Sequence, residues 1–298
     1  MCLNPNRRRH RIPVESKERS RLTDALLILL MILPLALAIL LKICTTPDAP
    51  LEDGVVISGA QIYFTIPMPL QEWPITAAQI NSWAVILSIL GLCLYLTHGI
   101  KVIPDSKRQI AAEWIVDTVN KLVSSNMGEQ FMGFAPFVAG ILALSALSSL
   151  SSLLGLFAPT SDLNVVLGWA ILVFILITHY KLKGGVWNYI KGFFSPIPVF
   201  APLNIIGEVA TPISMSFRHY GNVMSGMVIS TLVAYALRNL SHMLLGWLPG
   251  FLGQIPFLQA GLPAILSLYF DIFSGCMQAF IFAMLTMMFV ATAVPEEG

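Results

Sequence analysis

A chain of 298 residues that is 56% hydrophobic and only 11% charged, with a mean hydropathy of +0.77, lacks the polar surface of a water-soluble globule. Most of its exterior must face lipid. The net charge of +1 points to no partner by itself, and nucleic acid is not expected. Cys2, Cys44, Cys93 and Cys276 are scattered without CxxC spacing or a histidine cluster, so they read as isolated thiols, and neither a metal nor a cofactor is expected. The chain has no phosphate-cradling glycine loop, no HExxH and no GxSxG, so a non-catalytic protein without a nucleotide site is expected.

In chain order, six stretches are long and apolar enough to cross a hydrocarbon core, which takes about 20 residues at 1.5 Å each. They are 22–43 (interrupted by Pro34), 80–100, 133–156, 163–180, 203–237 and 262–294. The last two are long enough for about 50 Å of helix, which strong tilt would accommodate. The basic N-terminal segment and first span read as a retained anchor rather than a cleaved leader, because no A-x-A site follows. Between the second and third spans, Glu113, Asp117 and Lys121 recur every four residues opposite Ala111, Ile115, Val119 and Leu122. That pattern fits a helix lying on the membrane surface, or a solvated loop helix. The fold class is therefore all-α: a polytopic membrane protein of about six transmembrane helices, the last two long and tilted, plus one surface helix.

Charge supports the count. Arg7, Arg8, Arg9, Arg11, Lys17, Arg19 and Arg21 precede the first span; Lys101, Lys107, Arg108 and Lys121 follow the second; Lys181, Lys183 and Lys191 follow the fourth. With six alternating spans all of these fall on one side, which the positive-inside rule makes cytoplasmic, together with both termini. Lys42, near the outer end of the first span, can snorkel. Arg238 sits near a boundary, and the remaining cation is Arg218.

Ionisable residues at membrane depth mark function by default. Glu208 and Arg218 in the fifth span and Asp271 in the sixth are the candidates, with His219, Asn222 and Gln278 as polar companions. Asp162 and Asn164 open the fourth span, where Ser161 or Asp162 would serve as an ordinary N-cap. Arg218 precedes Arg238 by about 30 Å of helix. In an upright span it would be an interfacial anchor, and in a steeply tilted one it would lie near mid-depth. Thr211, Ser214, Arg218, Gly221 and Ser225 form a narrow stripe of small or polar residues, over which another helix can approach closely. A lone cation there implies a carboxylate from that partner, or from Asp271 or Glu208 internally. Asp271 and Gln278, seven apart on one face, fit a hydrated path or a structural hydrogen-bond set.

The stretch from Pro212 through Phe217-Arg218-His219-Tyr220-Gly221-Asn222 resembles the most characteristic motif of the a subunit of F-type ATP synthases, bacterial type. Ser161-Asp162-Leu163-Asn164-Val165 resembles the opening of that family's fourth core helix, and Gln278-Ala279-Phe280-Ile281-Phe282 resembles its last. The resemblance covers about 79–294. It implies two domains: 1–78, with a basic cytoplasmic N-terminus, an extra anchor helix and an outer loop, and 79–298, the a-subunit membrane domain. It further implies a stator subunit offering two half-channels for H+ or Na+ against a rotating c ring. The b subunits of the peripheral stalk and the rest of the complex are implied partners, in a bacterial plasma membrane. Arg218 matches the family's essential arginine, Asp271 a position that is often ionisable, and Gln278 a glutamine near the arginine, while Glu208 has no confident match. His219 and Tyr220 replace the commoner Leu-Phe, and Met227 stands where many relatives have an ionisable residue. A secondary transporter with a midplane site between the last two helices is the alternative, although no internal repeat supports it.

Overall fold

The computed structural model describes residues 14–45, 59–69, 72–103, 106–195, 197–245, 258 and 261–294. The expectations for Cys2, for Arg7, Arg8, Arg9 and Arg11, and for most of the segment joining the last two spans lie outside the described residues.

Nine α-helices are described: α1 (Val14–Thr45), α2 (Ala77–Thr97), α3 (Lys107–Met127), α4 (Ala135–Leu150), α5 (Leu163–Lys183), α6 (Val186–Phe193), α7 (Ala201–Leu245), α8 (Leu262–Ser267) and α9 (Gly275–Ala293). Six stretches are long and apolar enough to cross a membrane, matching the six expected spans. Large apolar side chains such as Leu29, Ile32, Leu90, Leu172 and Ile175 stay exposed along them, as a lipid-facing surface requires.

Local chemistry sets the helix ends. Ser106 accepts a bond from the Gln109 N–H at 3.2 Å and starts α3; Gly128, at φ 93°, ends it. Asp162 accepts from the Asn164 N–H at 2.9 Å and starts α5, whose last turn carries Lys181 and Lys183 at the negative end of the helix dipole. We call the end of the bundle bearing these lysines the basic end.

The core forms where α9 packs among α3, α4, α5 and α7, with Val123, Val138, Val173, Met215, Phe282 and Met287 at its centre. The expected amphipathic helix is present as α3, but its inward line is Val119, Val123 and Met127; Ala111 and Ile115 remain exposed with Trp114. The bundle core takes up only the C-terminal half of α3, leaving Ile110, Trp114, Ile115 and Val116 of the first half exposed beside its charged residues, as fits a bilayer surface.

Three features differ from the sequence reading. The loop after α1 contains an antiparallel hairpin, β1 (Ile62–Ile66) with β2 (Trp73–Thr76), built from a β-branched and aromatic run. The short amphipathic α6 lies at the basic end with Trp187 and Ile190 exposed. The last span is not one helix: Leu268–Ser274 is a π-helix between α8 and α9, and Asp271 sits in it. Such π insertions re-aim side chains and are common at functional sites.

The N-terminal helix α1 packs along α2 and is held at both ends. Asp24 accepts from Arg108 at 2.9 Å, and Lys42 donates to the Gly155 carbonyl. Midway, a Cβ on Gly91 would lie 2.8 Å from the Met31 backbone nitrogen, so only glycine permits this approach. Gly91→Val is expected to push α1 off α2 at a cost of about 1–3 kcal/mol. Thermal unfolding in detergent would read this as an earlier transition, and a parental profile would contradict the packing.

Candidate functional site

Helix α7 carries the site. It has 45 residues, hence a length of about 68 Å, well beyond a bilayer of roughly 40–45 Å with its headgroups. Pro212, inside it, removes one N–H from the ladder without ending the helix. Its two faces are unlike. Met215, Ser216 and His219 are buried against the bundle, whereas Ser214, Arg218, Gly221 and Ser225 are exposed on the other side, with Thr211 half-buried. Nothing lies within 4 Å of where a Cβ on Gly207 or Gly221 would stand. A groove of about 220 Å³ runs beside Arg218, lined by Gly207, Ala210, Ser214, Leu285 and Phe289. The expected stripe is real, and it faces outward.

The neighbour of Arg218 fixes its depth. His219 Nε2 lies 3.3 Å from Ser145 Oγ of α4, and its ring meets Trp169 of α5 and Phe282 of α9 edge-on. All three partners lie well inside their spans, so Arg218 stands at mid-span level rather than at a helix end. Among the described residues no carboxylate lies within 4 Å of it. A guanidinium on this exposed face can meet an anionic group brought against it from outside the chain.

One turn further along, Asn222 Nδ2 donates to Gln278 Oε1 at 3.3 Å, joining α7 to α9 beside Arg218. Asp271 lies seven residues before Gln278, on the wall of a cavity of about 450 Å³ at the end of the bundle opposite the basic end. Lys42, Gln61, Ser161, Ser230 and Thr231 supply polar groups to that wall, and Met227 lines it too. The cavity therefore brings together Asp271 and the position left without an ionisable group.

Glu208 is placed elsewhere. Lys181 Nζ donates to both its carboxylate oxygens, at 2.6 and 2.8 Å, near the basic end. The Tyr189 hydroxyl lies 3.5 Å away; partial burial and then this carboxylate push its phenol pKa up, so it remains a neutral donor. Glu208 precedes Arg218 by ten residues, about 15 Å along α7. Asp162 acts as the N-cap described above, and with Asn164 it lines a separate cavity of about 480 Å³ beside Trp73, Gln79 and Trp169. Sequence reasoning missed Lys181 as the partner of Glu208, and Gln61, Ser230 and Thr231 as cavity groups. Hydroxyls and amides outside a recognised motif carry no sequence signal of their own.

A family model described as ATP synthase A chain matches residues 79–291, a range holding Arg218, the Asn222–Gln278 pair and Asp271. The chain belongs to this family. It is 34% identical over 220 residues to ATP synthase subunit a of Bacillus pumilus, covering 70% of this chain and 88% of that protein. To the subunit of Priestia megaterium it is 33% identical over 225 residues, covering 72% and 89%. To the sodium ion specific ATP synthase subunit a of Propionigenium modestum it is 27% identical over 273 residues, covering 81% and 87%. Membership in the ATP synthase A chain family makes this a multi-pass membrane protein of an ATP synthase complex, working in ion translocation, and disfavours the secondary-transporter alternative. Helix α1 and the hairpin lie before the matched region.

Proposed function

We propose that this chain is the stationary member of a rotary pair and that its Arg218 face runs against a ring of c subunits bearing membrane carboxylates. The observation that carries this reading is a permanent cation at mid-span, on an exposed face of small residues, with no carboxylate within 4 Å among the described residues. An ion arrives through the cavity at Asp271, passes the Asn222–Gln278 pair, and is taken up by a ring carboxylate. After the ring turns, Arg218 favours the ionised carboxylate and the ion leaves toward the basic end, past Glu208. The cation also separates the two half-channels, because a migrating cation cannot pass it cheaply. Each elementary charge crossing 100 mV contributes about 2.3 kcal/mol to rotation. Asp162 and Asn164 flank the inlet side and His219 backs the arginine. The basic end faces the cytoplasm of a bacterium by the positive-inside rule, and b subunits of the peripheral stalk hold the chain still.

Cross-linking tests this arrangement. Cys2, Cys44, Cys93 and Cys276 are first replaced; Cys44, Cys93 and Cys276 are exposed and would otherwise react. Ser214→Cys or Ser225→Cys is then paired with a cysteine next to the ring carboxylate. Oxidation is expected to join the two chains. A chain that purifies alone and forms no such bond would refute the assignment.

A further inference from the structure

The span formed by α4 contains a run of hydroxyls that neither capping nor solubility explains. Ser145, Ser148 and Ser149 of α4, and Ser152 in the 3-10 turn that follows it, recur at helical spacing, and Ser145, Ser148 and Ser149 are at most 3% exposed. Ser149 Oγ lies 3.2 Å from Thr160 Oγ1, itself wholly buried, and Ser145 Oγ lies 3.3 Å from His219 Nε2. At one end the run reaches the Asp271 cavity, whose wall includes Ser152 and Ser161. At the other it reaches His219, one turn from the Asn222–Gln278 pair. From Ser152 to Ser145 is about 10 Å of helix.

Close packing accounts for part of this. A Cβ on Gly275 of α9 would lie 2.8 Å from the Ser149 Cβ, so a small residue is needed at 149. It does not account for Ser148 Oγ and His219 Nδ1, which are buried without a hydrogen-bond partner among the described residues. Alanine would pack at 148 and leucine at 219 without an orphaned polar atom, each of which costs about 1–3 kcal/mol. Two orphans on one seam, ending at an imidazole beside the essential cation, are accounted for if water completes the chain.

We propose that the Ser152–Ser149–Ser148–Ser145 hydroxyls and His219 form a second, buried proton branch from the Asp271 cavity to the Asn222–Gln278 pair; this rests on the half-channel reading above. Hydroxyls accept and donate in turn. The imidazole takes a proton on one ring nitrogen and gives one up from the other, which leaves its other tautomer and the hydroxyls turned; reorientation of the hydroxyls and return of the tautomer then restore the starting state.

Passive proton conductance through the reconstituted membrane sector, with the catalytic head removed, tests the branch. Ser148→Ala deletes only an oxygen without a partner, so a purely structural role predicts unchanged or improved stability and parental conductance. The branch predicts a several-fold loss, and His219→Asn is expected to cost about tenfold. That is less than removal of a positioned proton-transfer group from a sole route, because the Asp271 route remains. The two losses are expected to be non-additive when combined, as for groups acting in series. Parental conductance in an assembled Ser148→Ala complex, or simple additivity, overturns the proposal. If His219→Asn does not assemble, Ser148→Ala decides alone. Loss of conductance in Asp271→Asn alongside normal Ser148→Ala would remove the branch and leave the half-channel reading intact, whereas unaffected ATP synthesis in Arg218→Ala would remove the parent reading.

Discussion

Replacing Arg218 with Ala is expected to abolish ATP synthesis driven by an imposed ion gradient in membrane vesicles, with the complex still assembled. The side chain lies on an exposed helix face and makes no hydrogen bond or ion pair among the described residues, so stability should change little. In the proposed arrangement, what is lost is its effect on a ring carboxylate. Two unit charges 4 Å apart at an effective dielectric of 20 interact by about 4 kcal/mol, equal to roughly three pKa units. The sign is definite: a nearby cation lowers the carboxylate pKa, so the ion leaves when the carboxylate meets Arg218. Without the cation the carboxylate stays loaded and the ring passes without release, a deficit of about a thousandfold in the releasing step. Arg218→Lys is expected to recover little, since an ammonium in a poorly hydrated contact loses its proton more readily than a guanidinium. Normal synthesis in Arg218→Ala would end the rotary reading.

The second large effect concerns the cavity. Asp271→Asn should lower proton conductance by about ten- to a hundredfold, at or below the lower edge of what a positioned proton-transfer group contributes, because the proposed parallel branch persists. The structure adds a sharper test, because Met227 and Asp271 line one cavity from different helices. A carboxylate introduced as Met227→Glu should restore much of the conductance of Asp271→Asn, since water in the cavity can reach either wall. Conductance is measured as acid-induced quenching in vesicles loaded with a pH dye. Unchanged flux in the single variant would take Asp271 off the route. Failure of the double variant to recover would mean that the two walls do not serve one path.

Much of the fold was legible because the bilayer imposes a simple rule. A span must be about 20 apolar residues long, and the number of spans is cross-checked by the distribution of Lys and Arg. That rule located all six spans, and Arg218 stood out as a cation that the hydrocarbon should have excluded. The small residues at 214, 221 and 225 announced a face open to close approach, and the structure leaves that face open.

Other features depended on packing between distant parts of the chain. Periodicity does not distinguish an α-turn from a π-turn, so the break at Leu268–Ser274 that carries Asp271 was invisible. Glu208 and Lys181 are 27 residues apart, and only the contact between α5 and α7 makes them an ion pair rather than two free charges. The serines of α4 gain a partner only through Thr160 and His219, which the fold packs against them. Whether Arg218 lay at the rim or at mid-span was likewise undecidable from its distance to Arg238, because a helix longer than the bilayer can sit at many heights. Sequence settled which residues lipid would not tolerate, since desolvation is a property of a side chain alone. Tertiary structure settled which of them meet, since pairing requires two helices to be brought together.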